Sequence, residues 1–234
     1  MALEVLLEHG DFYVVQKPSG MTMHDPDHGI ISQFKRQVSA RTLYLCHRLD
    51  DGTSGCIIIA RNPQAAEYFR ELFSSHKIRK FYLALLSAKP SKKQGTVCGD
   101  MKNRRSGMHI LLKSRQNPAV TQFFSSAVSP GVRGAVVRPL TGRTHQIRVA
   151  MKSLGSPILG DNQYAGAAAD RLYLHAYALQ FIYEEQYFSI VCPPNEGAGF
   201  VSEAFTNWLA LQPAPETLPW PGFTLPSIQS APTE

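Results

Sequence analysis

Short blocks of apolar residues, separated by polar and glycine-rich turns, run along most of the chain in a pattern typical of β-strands. The clearest strand is the uninterrupted apolar run at 56–60, which suits a strand buried on both faces. The other segments predicted as strands are 12–16, 42–46, 79–87, 119–128, 134–139, 171–182 and 186–192. Because strands outnumber helices, we predict an α+β fold with a mixed, largely antiparallel sheet and flanking helices.

Apolar residues spaced three and four apart indicate a few helices. The segments predicted as helices are 28–38, 62–75, 145–154 and 200–211. Asn62 and Pro63 suit the N-cap and the first position of the second helix. Thr144 is the candidate N-cap of the third helix, which Gly155 ends at its C′ position.

Two stretches follow neither pattern. Residues 89–117 are polar and basic, which predicts an exposed loop. The cations of this loop include Lys102, Arg104 and Arg105. Residues 212–234 are rich in proline and poor in charge, which predicts a loosely ordered tail. We therefore expect one folded domain at 1–211, followed by the proline-rich tail at 212–234.

The composition, with 44% apolar and 18% charged residues, is that of an ordinary globular protein. The 24 Lys and Arg against 18 Asp and Glu give a formal charge of +6, which is compatible with a nucleic-acid partner, although many basic proteins bind none. The four cysteines show no C-x-x-C spacing, so neither a zinc ribbon nor a redox pair is indicated. No signal peptide and no apolar run near ~20 residues is present, so we expect a cytoplasmic protein without a membrane span.

A polar cluster with several ionisable groups is the loop His-Arg-Leu-Asp-Asp-Gly-Thr-Ser-Gly at 47–55. It connects two predicted strands, and loops held by a rigid sheet often carry catalytic groups. Asp50, beside Arg48, could stay ionised and act as a nucleophile or a base. The alternative is that Asp50 and Thr53 cap a turn, and the local chemistry alone favours this alternative.

A second cluster, Thr-Gly-Arg-Thr-His-Gln-Ile-Arg at 141–148, leads into the third predicted helix. Arg143 and Arg148 could grip a phosphate or a carboxylate at the helix start. The alternative is a solvated arginine with His145 packed in the core. The spacing is not that of a Walker P-loop. A metal site is not indicated either, because no second His or Cys lies nearby at ligand spacing.

Two further features are weaker indications. Lys80 and Tyr82 lie on one face of a predicted strand, where the tyrosine could stack on a base, but a packing role is the more usual one. The cations of 89–115 could track phosphates, and a solvated loop is an equally good interpretation.

These segments together resemble the RluA-type pseudouridine synthases. The loop at 47–55 is similar to that family's His-Arg-Leu-Asp-x-x-Thr-Ser-Gly signature, and 141–149 is similar to its third conserved block. Further similar segments, in the family's order, are Lys-Pro-Ser-Gly at 17–20, Lys-Phe-Tyr-Leu-Ala at 80–84, Gly-Ser-Pro-Ile-Leu-Gly-Asp at 155–161, Tyr164 and Leu-His-Ala at 174–176.

The resemblance implies a central RNA-binding cleft and the conversion of specific uridines in rRNA or tRNA to pseudouridine, without a cofactor. Asp50 falls at the catalytic aspartate, Tyr82 at the tyrosine that stacks on the target base, and Arg148 at the basic partner of the aspartate. Arg48 falls at the arginine that enters the helix when the base leaves. Because the base must rotate, it has to be flipped out first. Whether Asp50 attacks C1′, attacks C6 or removes the 2′ proton stays open.

The chain departs from the family pattern at Ala150, where a histidine is frequent. Because few residues precede the family-like strand, we expect no N-terminal S4 RNA-binding domain of the kind that some members carry. We then expect RNA recognition to rest on the catalytic domain, the 89–115 region and the tail, and we expect a monomer with no obligatory protein partner and no metal. The residues expected to contact RNA are Arg48, Arg143, His47, Thr53, Lys80, Lys102, Arg104 and Arg105.

Two rival hypotheses remain: a catalytically inactive RNA-binding protein on the same fold, and an aspartate-dependent nucleosidase. The presence of Asp50, Tyr82 and Arg148 together argues against the first, since a binder need not keep all three. A nucleosidase usually needs a second carboxylate, and Asp51 is too close in sequence to serve as one.

Overall fold

A computed structural model describes residues 2–225 of the 234-residue chain. Its strands are β1 (Val5–Glu8), β2 (Phe12–Lys17), β3 (Tyr44–Leu45), β4 (Ser54–Ala60), β5 (Arg79–Leu86), β6 (Gln94–Gly99), β7 (Met101–Asn103), β8 (His109–Leu111), β9 (Ala119–Ser129), β10 (Val132–Pro139), β11 (Leu174–Tyr183) and β12 (Gln186–Val191). Its helices are α1 (Ile30–Gln37), α2 (Pro63–Ser74), α3 (Gln146–Ser153) and α4 (Glu203–Ala210). Three single 3₁₀ turns lie at Arg105–Gly107, Asn162–Tyr164 and Pro215–Thr217.

Ten of these strands form one mixed sheet in the order β1-β2-β4-β11-β5-β10-β9-β6, with β3 beside β4 and β12 beside β11. The pairs are antiparallel except that between β4 and β11, which is parallel and short. This confirms the predicted α+β fold with a mixed, largely antiparallel sheet. The strand β1 was not predicted, because its four residues carry little alternation.

The central strands are buried because helices cover both faces of the sheet. Every residue of β4 is buried, as its apolar sequence predicts. Phe34 of α1 packs with one face of β4, and Phe69 of α2 packs with the other. The helix α2 begins as predicted, since Asn62 Oδ1 accepts a hydrogen bond from Ala65 N at 2.8 Å and Pro63 occupies the first position.

The half of the sheet formed by β5, β9 and β10 has its own core. Met151 and Ile147 of α3 pack in this core, and Ile147 also lines a large cavity. Phe205 and Trp208 of α4 pack in the same core, and the Trp208 indole N–H donates to Ser126 Oγ at 2.7 Å. The two halves meet at β11, so the face of β5 lies at the seam between the cores.

The basic stretch 89–117 is not a loop, and that prediction is wrong. It forms β6, which pairs with β9 at the edge of the sheet, and then a separate hairpin of β7 and β8. The strand signal was weak there because β7 and β8 are three residues each and lie off the main sheet, so they need no apolar alternation.

The described part of the tail, residues 212–225, is packed on the sheet rather than loose. The Trp220 ring lies 5.0 Å from that of Phe124, and Gln122 Nε2 donates to Pro221 O at 2.6 Å. Residues 226–234 lie outside the described residues, and the division at 211/212 stays a prediction. Within 2–225, no helix is long and apolar enough to cross a membrane.

Candidate active site

A cavity of about 1090 Å³ lies at the seam between the two halves of the sheet. Three parts of the chain meet there: the loop between β3 and β4, the face of β5, and the segment from the end of β10 into α3. Asp50, Tyr82 and Arg148 all line this cavity. The structure therefore brings together the three residues that the sequence singled out as catalytic.

The loop that carries Asp50 is fixed from below. Leu49 is buried in the core beneath it, so that Arg48 and Asp50 face the cavity on either side. The Thr53 N–H donates to Asp50 O at 2.9 Å, which closes a tight turn. The backbone thus makes the turn that the capping alternative foresaw, while the Asp50 carboxylate contacts Arg148 instead.

A buried lysine ties this loop to the start of the sheet. Lys17 is fully buried, and its ammonium donates to the carbonyl oxygens of Pro18, Met21 and Asp51 at 3.0, 2.7 and 2.8 Å. Burial lowers the pKa of Lys17 to about 8. The three carbonyl oxygens accept from all three N–H donors of a charged ammonium, so the contacts favour protonated Lys17. Lys17 therefore anchors the loop to the start of the sheet.

The next strand can leave the loop only because position 55 is a glycine. Gly55 has a φ of +112°, and a Cβ there would lie 2.2 Å from the carbonyl oxygen of Ala176. The close approach lets β11 pair with the first residues of β4 and brings the end of the loop against the sheet. Thr53 is buried, and no partner for its Oγ1 is found among the described residues.

Arg148 is held mainly by a second carboxylate, that of Asp161. Its Nε and Nη2 donate to the two Asp161 oxygens, both at 2.8 Å, and Nη2 also donates to Gln163 Oε1 at 2.9 Å. Its Nη1 faces Asp50 Oδ2 at 3.3 Å. Burial lowers the pKa of Arg148, but the hydrogen bonds and charges of Asp161 and Asp50 outweigh this and raise it, so the guanidinium stays charged.

The two carboxylates differ in their freedom to react. The Asp161 side chain is 1% exposed and both of its oxygens bind Arg148. The Asp50 side chain is 25% exposed and has one long contact with Arg148. A carboxylate that must attack a substrate or take its proton needs a free oxygen facing the cavity. Among the described residues, only one Asp50 oxygen has a hydrogen-bond partner, whereas both Asp161 oxygens have one.

The segment that positions Arg148 is built on Gln146. The Gln146 side chain accepts from Thr141 Oγ1 and from Arg143 N, and donates to Val120 O and Thr121 Oγ1, at 2.7–3.0 Å. This buried amide fixes the turn ahead of α3, so that Arg148 emerges toward Asp50.

The residue at the start of α3 differs from the prediction. The helix is preceded by His145 at a φ of +55°, and Thr144 is exposed, so the predicted N-cap at Thr144 is wrong. His145 is half-buried, and its Nδ1 lies 2.9 Å from the Tyr164 hydroxyl. Among the described residues no side chain caps α3, and the Gln146 hydrogen bonds fix the turn before the helix, which local sequence preference cannot reveal.

Tyr82 and Lys80 share one face of β5, as predicted. Tyr82 is half-buried, and burial followed by the charge of Asp50 raises the pKa of its hydroxyl, which therefore stays protonated. Lys80 Nζ donates to Thr141 O at 3.0 Å, and burial lowers the pKa of Lys80 to about 8. Both line the cavity, so an aromatic ring and a cation are available to a bound nucleotide.

The remaining predicted RNA contacts are spread more widely. Arg48 and Arg143 are exposed at the cavity, which also receives Arg70 from α2. His47 lines the cavity but serves the fold: its ring lies 4.4 Å from that of Phe73, and Nε2 accepts from Ile58 N at 2.9 Å. Burial lowers the pKa of His47 to about 3, so the ring is neutral.

The predicted cations of the basic stretch do not line the cavity. Lys102, Arg104 and Arg105 are exposed on the hairpin of β7 and β8, at the cavity's edge, where Gly107 is a lining residue. Within residues 2–225, no group of three or more His, Cys, Asp or Glu could hold a metal ion.

Sequence reasoning missed three residues that surround Arg148. Asp161 pairs with it, Gln163 accepts from it, and the Tyr164 ring centre lies 4.9 Å from its Cζ. The Gly-Asp at 160–161 and Tyr164 belonged to the family-like segments, but nothing in the sequence showed that they meet Arg148. Gln163 carried no signal.

The arrangement can perform a specific kind of chemistry. A partly exposed carboxylate lies beside a charged guanidinium, next to an aromatic ring, in a cavity whose cationic side chains outnumber its carboxylates. Such a site suits nucleophilic or base catalysis on one nucleotide of a polyanion. Fold and site together define an enzyme that acts on nucleic acid.

Comparison with known proteins identifies the family. The sequence model described as RNA pseudouridylate synthase matches residues 11–153. An uncharacterized RNA pseudouridine synthase of Haemophilus influenzae is 45% identical over 201 residues, covering 84% of this chain and 90% of that protein. The ribosomal large subunit pseudouridine synthase C of Escherichia coli is 32% identical over 213 residues, covering 82% of this chain and 67% of the relative.

The fold agrees with the sequence comparison. The human RNA pseudouridylate synthase domain containing 1 superposes with a TM-score of 0.70 at 26% identity, covering 83% of this chain and 84% of that structure. The chain belongs to the RNA pseudouridine synthase family, and it is an isomerase that converts uridine in RNA to pseudouridine.

Proposed function

We propose that Asp50 is the catalytic carboxylate and that this enzyme modifies a uridine of ribosomal RNA. The observation that carries the first part is the pairing of Asp50 with Arg148 at 3.3 Å on the wall of the cavity, where Tyr82 also lies. The second part is supported by the relative whose name assigns it to the large ribosomal subunit. Transfer RNA is the alternative substrate.

The reaction is an isomerisation in which atoms balance without a cofactor. The N1–C1′ bond of uridine breaks, the uracil ring rotates, and C5 bonds to C1′. The proton on C5 leaves, and N1 ends with a proton. Asp50 attacks C1′ or C6, or removes the 2′ proton, and each of these roles requires a charged carboxylate.

Arg148 lies beside Asp50 without blocking it. Because Asp161 takes most of the guanidinium's hydrogen bonds, the contact with Asp50 is single and long. The second oxygen of the Asp50 carboxylate therefore remains available to substrate. Tyr82 stacks on the detached uracil and keeps it in place while it rotates.

The target base has to leave its helix before it reaches Asp50, at a cost of a few kcal/mol. Arg48, which is exposed beside Asp50, fills the gap in the RNA. Arg143 and Lys80 hold the strand from the opposite wall, and Lys102, Arg104 and Arg105 contact phosphates from the hairpin. His47 and Thr53 contribute indirectly, by supporting the 47–55 loop that carries Arg48 and Asp50.

We further propose that the enzyme works in the cytoplasm as a monomer without an obligatory protein partner. The support is that one chain provides the carboxylate, the guanidinium and the aromatic ring of the cavity. Sedimentation of the active enzyme at assay concentration tests this, and a dimer as the active species would contradict it.

The two rival functions have less support. An inactive RNA-binding protein would have no need of the Arg148–Asp161 pair that orients a guanidinium on Asp50. A nucleosidase would need a second carboxylate facing Asp50 across the substrate. Asp161 is fully engaged with Arg148, and Asp51, which also lines the cavity, is the next residue of the same loop.

The decisive experiment maps pseudouridines in rRNA and tRNA from cells with and without the protein. We expect at least one rRNA pseudouridine to vanish without it and to return with the wild-type gene but not with Asp50→Asn. Loss of tRNA pseudouridines alone would reassign the substrate. Restoration by Asp50→Asn would contradict the role of Asp50.

A further inference from the structure

The hairpin of β7 and β8 is fastened to the active site near its tip. Gln163 Nε2 donates to Ser106 O at 3.0 Å, and the His109 backbone N–H donates to the Tyr164 hydroxyl at 2.9 Å. Within the described chain, these two bonds join the hairpin to the turn that carries Gln163 and Tyr164. Ser106 has a φ of +60°, an uncommon conformation for a residue other than glycine and one that clusters at functional sites.

The same turn contacts the guanidinium that faces Asp50. Gln163 Oε1 accepts from Arg148 Nη2 at 2.9 Å, so one side-chain amide joins the hairpin at one end and Arg148 at the other. The Tyr164 ring packs on the Arg148 guanidinium at 4.9 Å. Movement of the hairpin tip therefore changes the environment of Arg148 through two side chains, those of Gln163 and Tyr164, and Gln163 is the one that hydrogen-bonds the guanidinium.

The hairpin tip is strongly positive. Lys102, Arg104 and Arg105 are exposed, and residues 101–111 contain no Asp or Glu. The phosphates of RNA bound beside the cavity attract this positive tip. When the cations bind phosphate, they exert a force on the turn at Ser106, which lies between those cations and Gly107.

We propose that Gln163 is a positioning residue that couples the seating of this hairpin on RNA to the orientation of Arg148 against Asp50. The inference rests on the proposed roles of Asp50 and of the hairpin cations. When RNA binds Arg105, the hairpin stays packed against the turn that carries Gln163 and Tyr164. The Gln163 amide then keeps its hydrogen bond with Arg148. The hairpin cations then contribute to the rate of the chemical step as well as to affinity, because they help to hold Arg148 in place while the reaction proceeds.

A double-mutant cycle with Arg105→Ala and Gln163→Leu tests the coupling in the full-length enzyme. The assay measures tritium released from C5 of [5-³H]uridine in total RNA from cells lacking the protein. We expect Arg105→Ala to raise KM and to lower kcat about fivefold. Gln163→Leu, which removes a hydrogen bond to a charged group, lowers kcat about tenfold. The double variant then shows the KM rise of Arg105→Ala with the kcat of Gln163→Leu.

A conservative substitution distinguishes the two hydrogen bonds of the Gln163 amide, the one with Arg148 and the one with Ser106. Gln163→Glu keeps an acceptor for Arg148 but cannot donate to Ser106 O. We expect it to retain a kcat closer to wild type than Gln163→Leu does, and to lose the dependence of kcat on Arg105. A role limited to folding would not produce this split between kcat and KM. Gln186→Leu and Lys152→Ala, both exposed and away from the cavity, are the matched controls.

The outcomes distinguish this inference from the proposed function. If Arg105→Ala changes kcat by the same factor with and without Gln163, or changes KM alone in the wild-type background, the coupling is wrong. Release of tritium by Asp50→Asn would instead overturn the proposed role of Asp50. Circular dichroism and thermal unfolding of each variant confirm that the folded enzyme is compared.

Discussion

Arg148 faces Asp50 at 3.3 Å across 98 residues of sequence, but its closer partner is Asp161, at 2.8 Å. The guanidinium is thus oriented by a buried carboxylate and presented to a partly exposed one. This division of labour keeps Arg148 charged and rigid while leaving Asp50 an oxygen for substrate.

Asp50→Asn should abolish pseudouridine formation, because an amide can neither attack C1′ or C6 nor take a proton. The fold should persist, since the Asp50 backbone oxygen still receives the Thr53 N–H. The measurements are tritium release and RNA binding by filter retention, with binding expected to survive. Asp51→Asn, which changes an exposed neighbouring carboxylate, is the control and should keep most activity. Substantial turnover by Asp50→Asn would rule out its catalytic role.

Asp161→Asn should lower both stability and activity. Removing one charge from a buried ion pair costs about 3 kcal/mol, and Arg148 then loses the partner that orients it. We expect kcat to fall at least about tenfold, because misplaced catalytic groups lose rate steeply. Urea unfolding and single-turnover kinetics measure the two effects. Asp27→Asn, at an exposed site, should change neither. An unchanged unfolding midpoint in Asp161→Asn would show that the pair is not stabilising.

Arg48→Ala should affect paired uridines more than unpaired ones. If Arg48 fills the gap left by the flipped base, its loss matters only where flipping costs a few kcal/mol. We expect a drop in kcat/KM at least about tenfold larger when the target uridine is paired in a stem than when it is bulged. Arg41→Ala, exposed and outside the cavity, is the matched control. Equal losses on both RNAs would argue against the insertion.

His47 should make the fold sensitive to acid. Its folded pKa is about 3 against an ordinary 6.5, because burial disfavours the charged ring and the positive charge of Lys80 disfavours it further. Between these values the unfolded chain binds a proton that the folded chain does not. The free energy of unfolding therefore falls as pH drops from 6.5 toward 3, by up to about 1.4 kcal/mol per pH unit.

The control for this pH effect is His47→Gln, whose amide oxygen can still accept from Ile58 N. Urea unfolding at pH 7, 6 and 5 should show a flatter dependence for this variant than for the wild type. His28→Gln, at an exposed position, should keep the wild-type slope. Parallel curves for wild type and His47→Gln would mean that His47 is not the source of the acid sensitivity.

Elements with a strong local signal were predictable from the sequence. The run at 56–60 became the buried strand β4, and Asn62-Pro63 began α2. Each depends on residues that are neighbours in sequence. The prediction failed for the basic hairpin, whose strands are short and lie outside the main sheet.

The sequence by itself determined the family and the catalytic residues that we propose. Asp50, Tyr82 and Arg148 lie in segments that match the family pattern, whereas the local chemistry of Asp50 alone favoured a turn cap. Only the tertiary structure decided that Asp161 binds Arg148, that Lys17 anchors the loop that carries Asp50, and that Gln163 joins the hairpin to the guanidinium. These contacts bridge up to 57 residues, as between Gln163 and Ser106. Hydrogen bonds of that kind form where strands and turns are brought together by packing, and no local pattern of residues encodes them.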